Sequence, residues 1–322
     1  MHSKIQLRGN NLRYMGGSNV HAGINLSTSK LQVVEIFGSQ EQIRLDNLNE
    51  AVFSQPLNFK SDRETIILSQ LQTAYDEMRK NKPLQSDTLS FSLPLDLFYI
   101  SQVPYDNTLL QRDLIEEFRW EYSIMFPFVK NDDLILQYLE VERNMIYTKN
   151  TAIVYGIERK YLKLLENFCK QNNLKLGFID NVHLSSESAL ALSNSFVNVG
   201  LRLSLYVSES IMSIIFSLEG RPISQKVYSI NSYDDIQQNI LEEISLSKSK
   251  NIIKGLIQAC YITGEKLPDS VVQSLNEATG LNFIVFNPFD KLTATPHLQE
   301  NPFYFQNYNS FSSATGIAYR IG

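Results

Sequence analysis
Cysteine, histidine, glycine signatures and long apolar runs are all scarce in this sequence, and each shortage removes a class of function. The two cysteines, Cys169 and Cys260, lie far apart with no CxxC pair, so two reduced thiols are expected in place of a disulfide framework or a zinc site. His2, His21, His183 and His297 show no metal-ligand spacing, and no serine stands in a GxSxG context, so no metal site and no esterase-type nucleophile are expected. GxxxxGK[ST] and GxGxxG are missing as well, which removes the P-loop and Rossmann readings. No uncharged apolar run approaches the ~18 residues of a membrane-spanning helix. Residues 1–20, with Arg8, Arg13 and Gly16-Gly17, hold no apolar block and are expected to be a flexible leader, not a signal peptide. The net charge of −5 is dispersed along the chain without a Lys/Arg arm, so no nucleic-acid partner is expected.

What is present is a globular composition, 43% hydrophobic and 20% charged over 322 residues; chains of this size bury a large core and commonly divide into two domains. Residues 21–37 read as strand, hydroxyl-rich tight turn, strand, and 49–58 as a short strand region. Ser61 followed by Glu64 has the spacing of a capping box. The helix behind it carries a stripe of Ile67, Leu68, Leu71, Ala74, Tyr75 and Met78. Strands are expected at 88–94 and 97–103, a helix at 108–126 stopped by Pro127, and strands at 134–141 and 150–157. Helix 158–171, strand 174–179 and helix 185–195 follow. From Leu201 a second strand–turn–strand begins, with Glu219-Gly220 as its later hairpin signal, and helix 233–248 after it. Strand 255–263, helix 269–279, strand 283–287 and a small-residue helix at 312–320 complete the chain. The plan of β-strands followed by helix therefore occurs twice, which predicts an α/β protein with two related halves.

Chemistry-bearing residues are sparse. The loop 25–30 can present backbone N–H groups and hydroxyls to a phosphate, although an ordinary hairpin turn has the same composition. Asp132-Asp133 reads as a solvated turn, Asp180 as a turn or helix-capping carboxylate, and Glu41 and Asp46 as parts of a polar hairpin. Trp120, Tyr122, Phe126 and Phe128 form an aromatic cluster suited to core packing, with any exposed part a docking face.

Taken in order, these segments resemble the PilM family, the actin-like cytoplasmic proteins of type IV pilus assembly, related in fold to the division protein FtsA. Residues 23–29 through Val33-Val34-Glu35 are similar to the family's first phosphate segment, GIDIGSSSVKLVEL. Phe91-Ser92-Leu93-Pro94 and Val103-Pro104 match its strand–Pro segments, and Glu121 with Phe126-Pro127-Phe128 its E…IPF motif. Phe178-Ile179-Asp180 with residues 189–192 resembles VDVE…ALA. Asn287-Pro288-Phe289 and residues 314–320 resemble NPF and the terminal AxGLALR.

The resemblance spans roughly residues 20–322 and implies an actin-like, RNase H-like two-lobed fold with a duplicated βββαβαβα plan and a small inserted α+β subdomain. The implied divisions are 21–86 for the start of the first lobe, 87–157 for the insertion, 158–300 for the second lobe, and 301–322 for a segment returning to the first lobe. It also implies a scaffold that binds the short cytoplasmic tail of a membrane-anchored, PilN-like bitopic partner, in a groove between the first lobe and the insertion. The chain is then expected in the cytoplasm, at the inner face of the inner membrane through that partner, with oligomeric state open.

Departures from the family pattern fall on its nucleotide loops. Where the family has an Mg²⁺-holding Asp, Asn25 is neutral. Ser27 replaces a glycine, Thr28 and Ser29 follow it, and Gln32 aligns with a phosphate-facing lysine; Lys30, two positions earlier, shares its strand face. In the second phosphate loop Tyr206 replaces the carboxylate, followed by Ser208 and Glu209. The adenosine loop is reduced to Gly264 and Glu265, with Lys266 as a possible counter-charge for Glu265. A degenerate pocket without cofactor is expected, hence a pseudo-ATPase. The alternatives are a divergent switch that binds ATP and Mg²⁺, and a sugar-kinase-like enzyme using Asp180.

Overall fold
The computed structural model describes residues 20–39, 42–144, 146–246 and 254–320. Val20–Leu26 (β1) and Lys30–Ser39 (β2) form the first hairpin, in which Asn25 pairs with Gln32 and Leu26 with Leu31. Gln42–Val52 (β3) continues the meander. The strand thus starts earlier than 49, because Leu45 and Leu48 are buried. Asp46, expected in a polar hairpin, is buried with them and held by Arg44, Lys82 and Gln85. Glu41 and the leader at 1–19 lie outside the described residues.

Glu64–Asn81 (α1) buries the expected stripe, with Ile67, Leu71, Ala74, Tyr75 and Met78 inside. The Ser61–Glu64 capping box does not form. Arg63 is the N-cap, without a side-chain bond, and the preceding turn is closed by Asp62, which accepts from the Asn58 N–H at 2.7 Å.

Thr88–Leu93 (β4) then runs parallel to β1. Phe98–Pro104 (β5), Gln111–Met125 (α2), Leu134–Val141 (β6) and Thr151–Glu158 (β7) follow, and β5, β7 and β6 make a separate three-stranded sheet. Arg159–Gln171 (α3), Lys175–Asn181 (β8) and Val182–Ala189 (α4) close the first half. The second half is Leu201–Val207 (β9), Ile211–Leu218 (β10), Arg221–Ser229 (β11), Tyr233–Leu246 (α5), Ile257–Gly264 (β12), Asp269–Thr279 (α6) and Phe283–Val285 (β13). Thr293–Ala294 (β14) and the short helices Pro296–Gln299 (α7) and Pro302–Phe305 (α8) lead to Ser312–Tyr319 (α9).

The duplication is visible in the two large sheets. One has the order β14-β3-β2-β1-β4-β8, the other β11-β10-β9-β12-β13. Leaving aside β14, each is an antiparallel meander extended by two parallel strands.

This pairing moves two of the expected divisions. β4 lies between β1 and β8, so it belongs to the first sheet and not to an 87–157 insertion. On α3, Tyr161, Leu165 and Phe168 pack with Leu71 and Tyr75 of α1, and β8 pairs with β4, so both belong to the first lobe and not to a lobe starting at 158. The inserted unit is β5-α2-β6-β7. Its sheet is buried on both faces with strand periodicity: Ala152 and Val154 pack against Leu114, Phe118 and Tyr122 of α2, while Ile153 and Tyr155 join the core of the second lobe.

The chain end returns to the first lobe, where Ala314 and Ala318 of α9 pack against Val34 and Ile36. Helices α4 and α9 cross so closely that a Cβ on Gly316 would lie 1.7 Å from the Ser185 carbonyl oxygen. α4 itself begins before residue 185 because Asn181 caps it, accepting from the N–H groups of His183 and Leu184 at 3.0 and 2.9 Å. Asp180 is not the cap. It is buried on β8 and pairs with Arg320 from beyond the end of α9.

Candidate functional site
Two tight turns, β1–β2 from the first lobe and β9–β10 from the second, face each other across a cleft. Asn25, Ser27, Thr28, Ser29, Tyr206, Ser208 and Glu265 line it, together with Asp96, Glu209, Leu95, Val182 and Ile211. Seven of the ten residues singled out in the sequence are thus brought together. Lys30 and Gln32 stand behind them, bonded to Glu265 and Asn25, and Gly264 directly precedes Glu265 with its own bonds to Ser312 and Asn309.

The first turn bonds three of its own N–H groups internally. Ser27 Oγ accepts from the N–H groups of Ser29 and Lys30 at 3.3 and 3.0 Å, and the Ser27 N–H is taken by the Lys30 carbonyl at 3.0 Å. A serine here forms a closed hydroxyl turn, where a glycine would leave those donors free. Asn25 is buried; it donates to Gln32 Oε1 at 2.8 Å and accepts from Ser92 Oγ at 3.3 Å. Gln32 in turn donates to Glu50 at 2.8 Å and Ser310 at 3.1 Å.

Lys30 is the cation nearest the turn, and it is doubly neutralised. Its Nζ lies 3.2 Å from Glu50 and 2.9 Å from Glu265. Burial alone lowers its pKa, but the two carboxylates outweigh that and hold it above the ordinary lysine value. The expected counter-charge for Glu265 was Lys266, yet Lys266 donates to the Gln306 carbonyl at 3.3 Å and Lys30 takes the carboxylate. The physical reason is position: Lys30 opens β2 within 2.9 Å of the Glu265 carboxylate, which follows the end of β12.

On the second-lobe side Tyr206 is buried against Leu95.

 Its ring packs with Leu95 and Val182 and lies 5.8 Å from the ring of His183. His183 is enclosed by Ser204 and Ser213 at 2.6 and 2.8 Å, and burial drives its pKa down to about 3, so it stays neutral and structural. Gly264 keeps a role of its own: at φ +88° it brings the β12 end so near β9 that a Cβ would stand 2.2 Å from the Val207 carbonyl oxygen. Glu209 accepts from Ser29 Oγ at 3.1 Å, across the cleft.

A nucleotide would meet a small, acidic cleft. The cavity is about 90 Å³, against the ~300–1,000 Å³ of small-molecule pockets. Its carboxylates Asp96, Glu209 and Glu265 would face the phosphates, with Lys30 already committed. Asp96, Leu95 and Val182, which reach the cleft from other elements, and Glu50 and Ser310, which bond to Lys30 and Gln32 behind it, were missed by sequence reasoning. Asp180, the candidate base of a sugar-kinase reading, is tied to Arg320 away from the cleft lining.

No family model matches the chain, and no curated protein matches it in sequence. Solved structures do match. A PilM–PilN type IV pilus biogenesis complex superposes with a TM-score of 0.72 at 14% identity, over 94% of this chain and 98% of that one. A Bacteroides thetaiotaomicron protein with actin-like ATPase fold and unknown function gives 0.53 at 13% identity, over 85% and 94%. The chain has the actin-like ATPase fold. The PilM-like match covers both duplicated halves and the inserted β5-α2-β6-β7 unit alike, and at this level of identity the likeness is one of fold.

Within that fold the expected aromatic cluster is split. Tyr122 is buried and donates to the carbonyls of Tyr99 and Val154 at 2.8 and 2.7 Å. Phe126 packs on Tyr99, while Trp120 and Phe128 are 61% and 76% exposed. Among the described residues β5 is an edge strand, and the Phe128 ring lies 6.1 Å from Tyr99 on it. No described helix is long and apolar enough to cross a membrane.

Proposed function
We propose that this chain is a non-catalytic actin-fold scaffold, a pseudo-ATPase, in a pilus- or secretion-type envelope assembly. It binds the cytoplasmic tail of a PilN-like bitopic membrane protein and is held through it at the inner face of the inner membrane. The observation that carries the non-catalytic part is the closure of the cleft by its own side chains, with Asn25 on Gln32, Ser27 on its own turn and Lys30 on two carboxylates. For the partner, support comes from the fold match to a PilM–PilN complex and from the edge of β5 with which no described strand pairs. An extended peptide adds to such an edge through main-chain bonds, with side chains resting on exposed rings such as Phe128.

The test is a titration of the full chain with the labelled cytoplasmic tail of the bitopic protein encoded beside it. The tail is expected to bind without nucleotide and to bind Phe128→Asp much more weakly. Equal binding to both proteins, or to neither, would contradict the proposal.

A further inference from the structure
The residues that meet across the cleft do more than fill it. Ser29 and Lys30 belong to the first lobe, on the β1–β2 turn and the start of β2; Glu209 and Glu265 belong to the second, on the β9–β10 turn and just past β12. Their two contacts, Ser29 Oγ to Glu209 at 3.1 Å and Lys30 Nζ to Glu265 at 2.9 Å, bridge the lobes at the mouth of the cleft. Deeper in, Leu95 and Val182 close on Tyr206. We propose that these two polar pairs are a clasp that holds the lobes closed without nucleotide, the chain's own carboxylates occupying the positions where an anionic ligand would otherwise join the lobes.

The chemistry is that of ligand bridging turned inward. A phosphate joins two lobes by offering negative oxygens to donors on both sides. Here Glu209 and Glu265 supply the negative oxygens from the second lobe, and Ser29 and Lys30 the donors from the first. Glu50 holds the Lys30 ammonium at 3.2 Å, so the cation is set in place from its own lobe before it meets Glu265. Because the contacts are partly exposed, salt weakens them, and lobe closure becomes sensitive to ionic strength instead of to ATP. A ligand shifts such an equilibrium only through a difference in affinity for the open and closed forms; a clasp within the chain supplies that difference permanently. The inference rests on the reading of the cleft as one that takes no nucleotide.

Spin labels report the lobe separation directly. Cys169 and Cys260 are both buried, so cysteines introduced by Glu77→Cys on α1 and Gln273→Cys on α6, both exposed, take the label selectively. In the full chain the pulsed-resonance distance distribution is expected to be narrow and unchanged by ATP with Mg²⁺. In Glu209→Gln/Glu265→Gln it should broaden toward longer distances, as it should for the parent in concentrated salt. A distribution in the variant identical to the parent overturns the clasp and leaves the nucleotide-free reading standing. A parent distribution that ATP with Mg²⁺ itself shifts overturns the nucleotide-free reading, and the clasp that rests on it. Glu265→Gln alone, at a half-buried position, serves where the double variant folds poorly and should give a smaller shift of the same sign.

Discussion

The amide of Asn25 donates to the Oε1 of Gln32 at 2.8 Å, so the two positions where related actin-like loops are expected to carry an acid and a base are joined by a neutral hydrogen bond. The pair is buried and satisfied, so both side chains are already committed to partners within the protein. Restoring one charge is therefore not expected to restore a site. Asn25→Asp removes the donor to Gln32 and buries a carboxylate, at a cost of about 1–3 kcal/mol. Urea denaturation should show the loss, and ATP with Mg²⁺ should not reverse it. An unchanged midpoint, or one raised by ATP, would count against the description of the turn.

Arg320→Ala should cost about 3–5 kcal/mol, because it leaves the buried Asp180 carboxylate without its cation. The double variant with Asp180→Asn should recover part of that loss, since no buried charge is then unpaired. A double variant as unstable as the single one would show that Arg320 acts only through its bonds to Ser188 and the Leu184 carbonyl.

At the crossing of α4 and α9 there is no room for a methyl group. Gly316→Ala should destabilise by about 1–3 kcal/mol or more through forced separation of the two helices. Thermal unfolding of the variant is the readout, and a melting temperature equal to that of the parent would contradict the close approach.

Much of the fold was legible because it is local. Both hairpins follow from near-continuous buried strand runs around polar turns, and Glu219-Gly220 forms its turn with both residues at positive φ. The parts that were not legible depend on partners distant in sequence. β4 and β5 lie close together in the chain, so they read as one unit, and only the parallel pairing of β4 with β1 and β8 separates them. The role of Asp180 is set by Arg320, at the far end of the chain, and Asp46 reads as surface until Lys82 and Gln85 close over it. In the cleft, residue types at 25, 27, 32 and 206 pointed to lost phosphate chemistry. That Lys30 would bond to Glu265 and not leave it to Lys266 required the two lobes to be placed.

Two buried histidines should make the protein acid-sensitive. Burial lowers His21 from 6.5 to about 4 and His183 from 6.5 to about 3. The unfolded chain therefore binds more protons than the folded one below pH 6.5, and stability falls as pH drops through that window. At pH 5 each histidine should cost about 2 kcal/mol relative to pH 7. His183→Gln, which can still bond to both serines, should flatten the pH dependence of the urea midpoint. Parallel curves for variant and parent would contradict the assignment.

The most direct test of a scaffold without nucleotide is calorimetric titration of the full chain with ATP and Mg²⁺ up to about 1 mM, the range of weak binding. The account predicts no saturable heat and no change in thermal stability. Saturable binding with a stabilised fold would contradict it, leaving the actin-like architecture intact and returning the cleft to nucleotide.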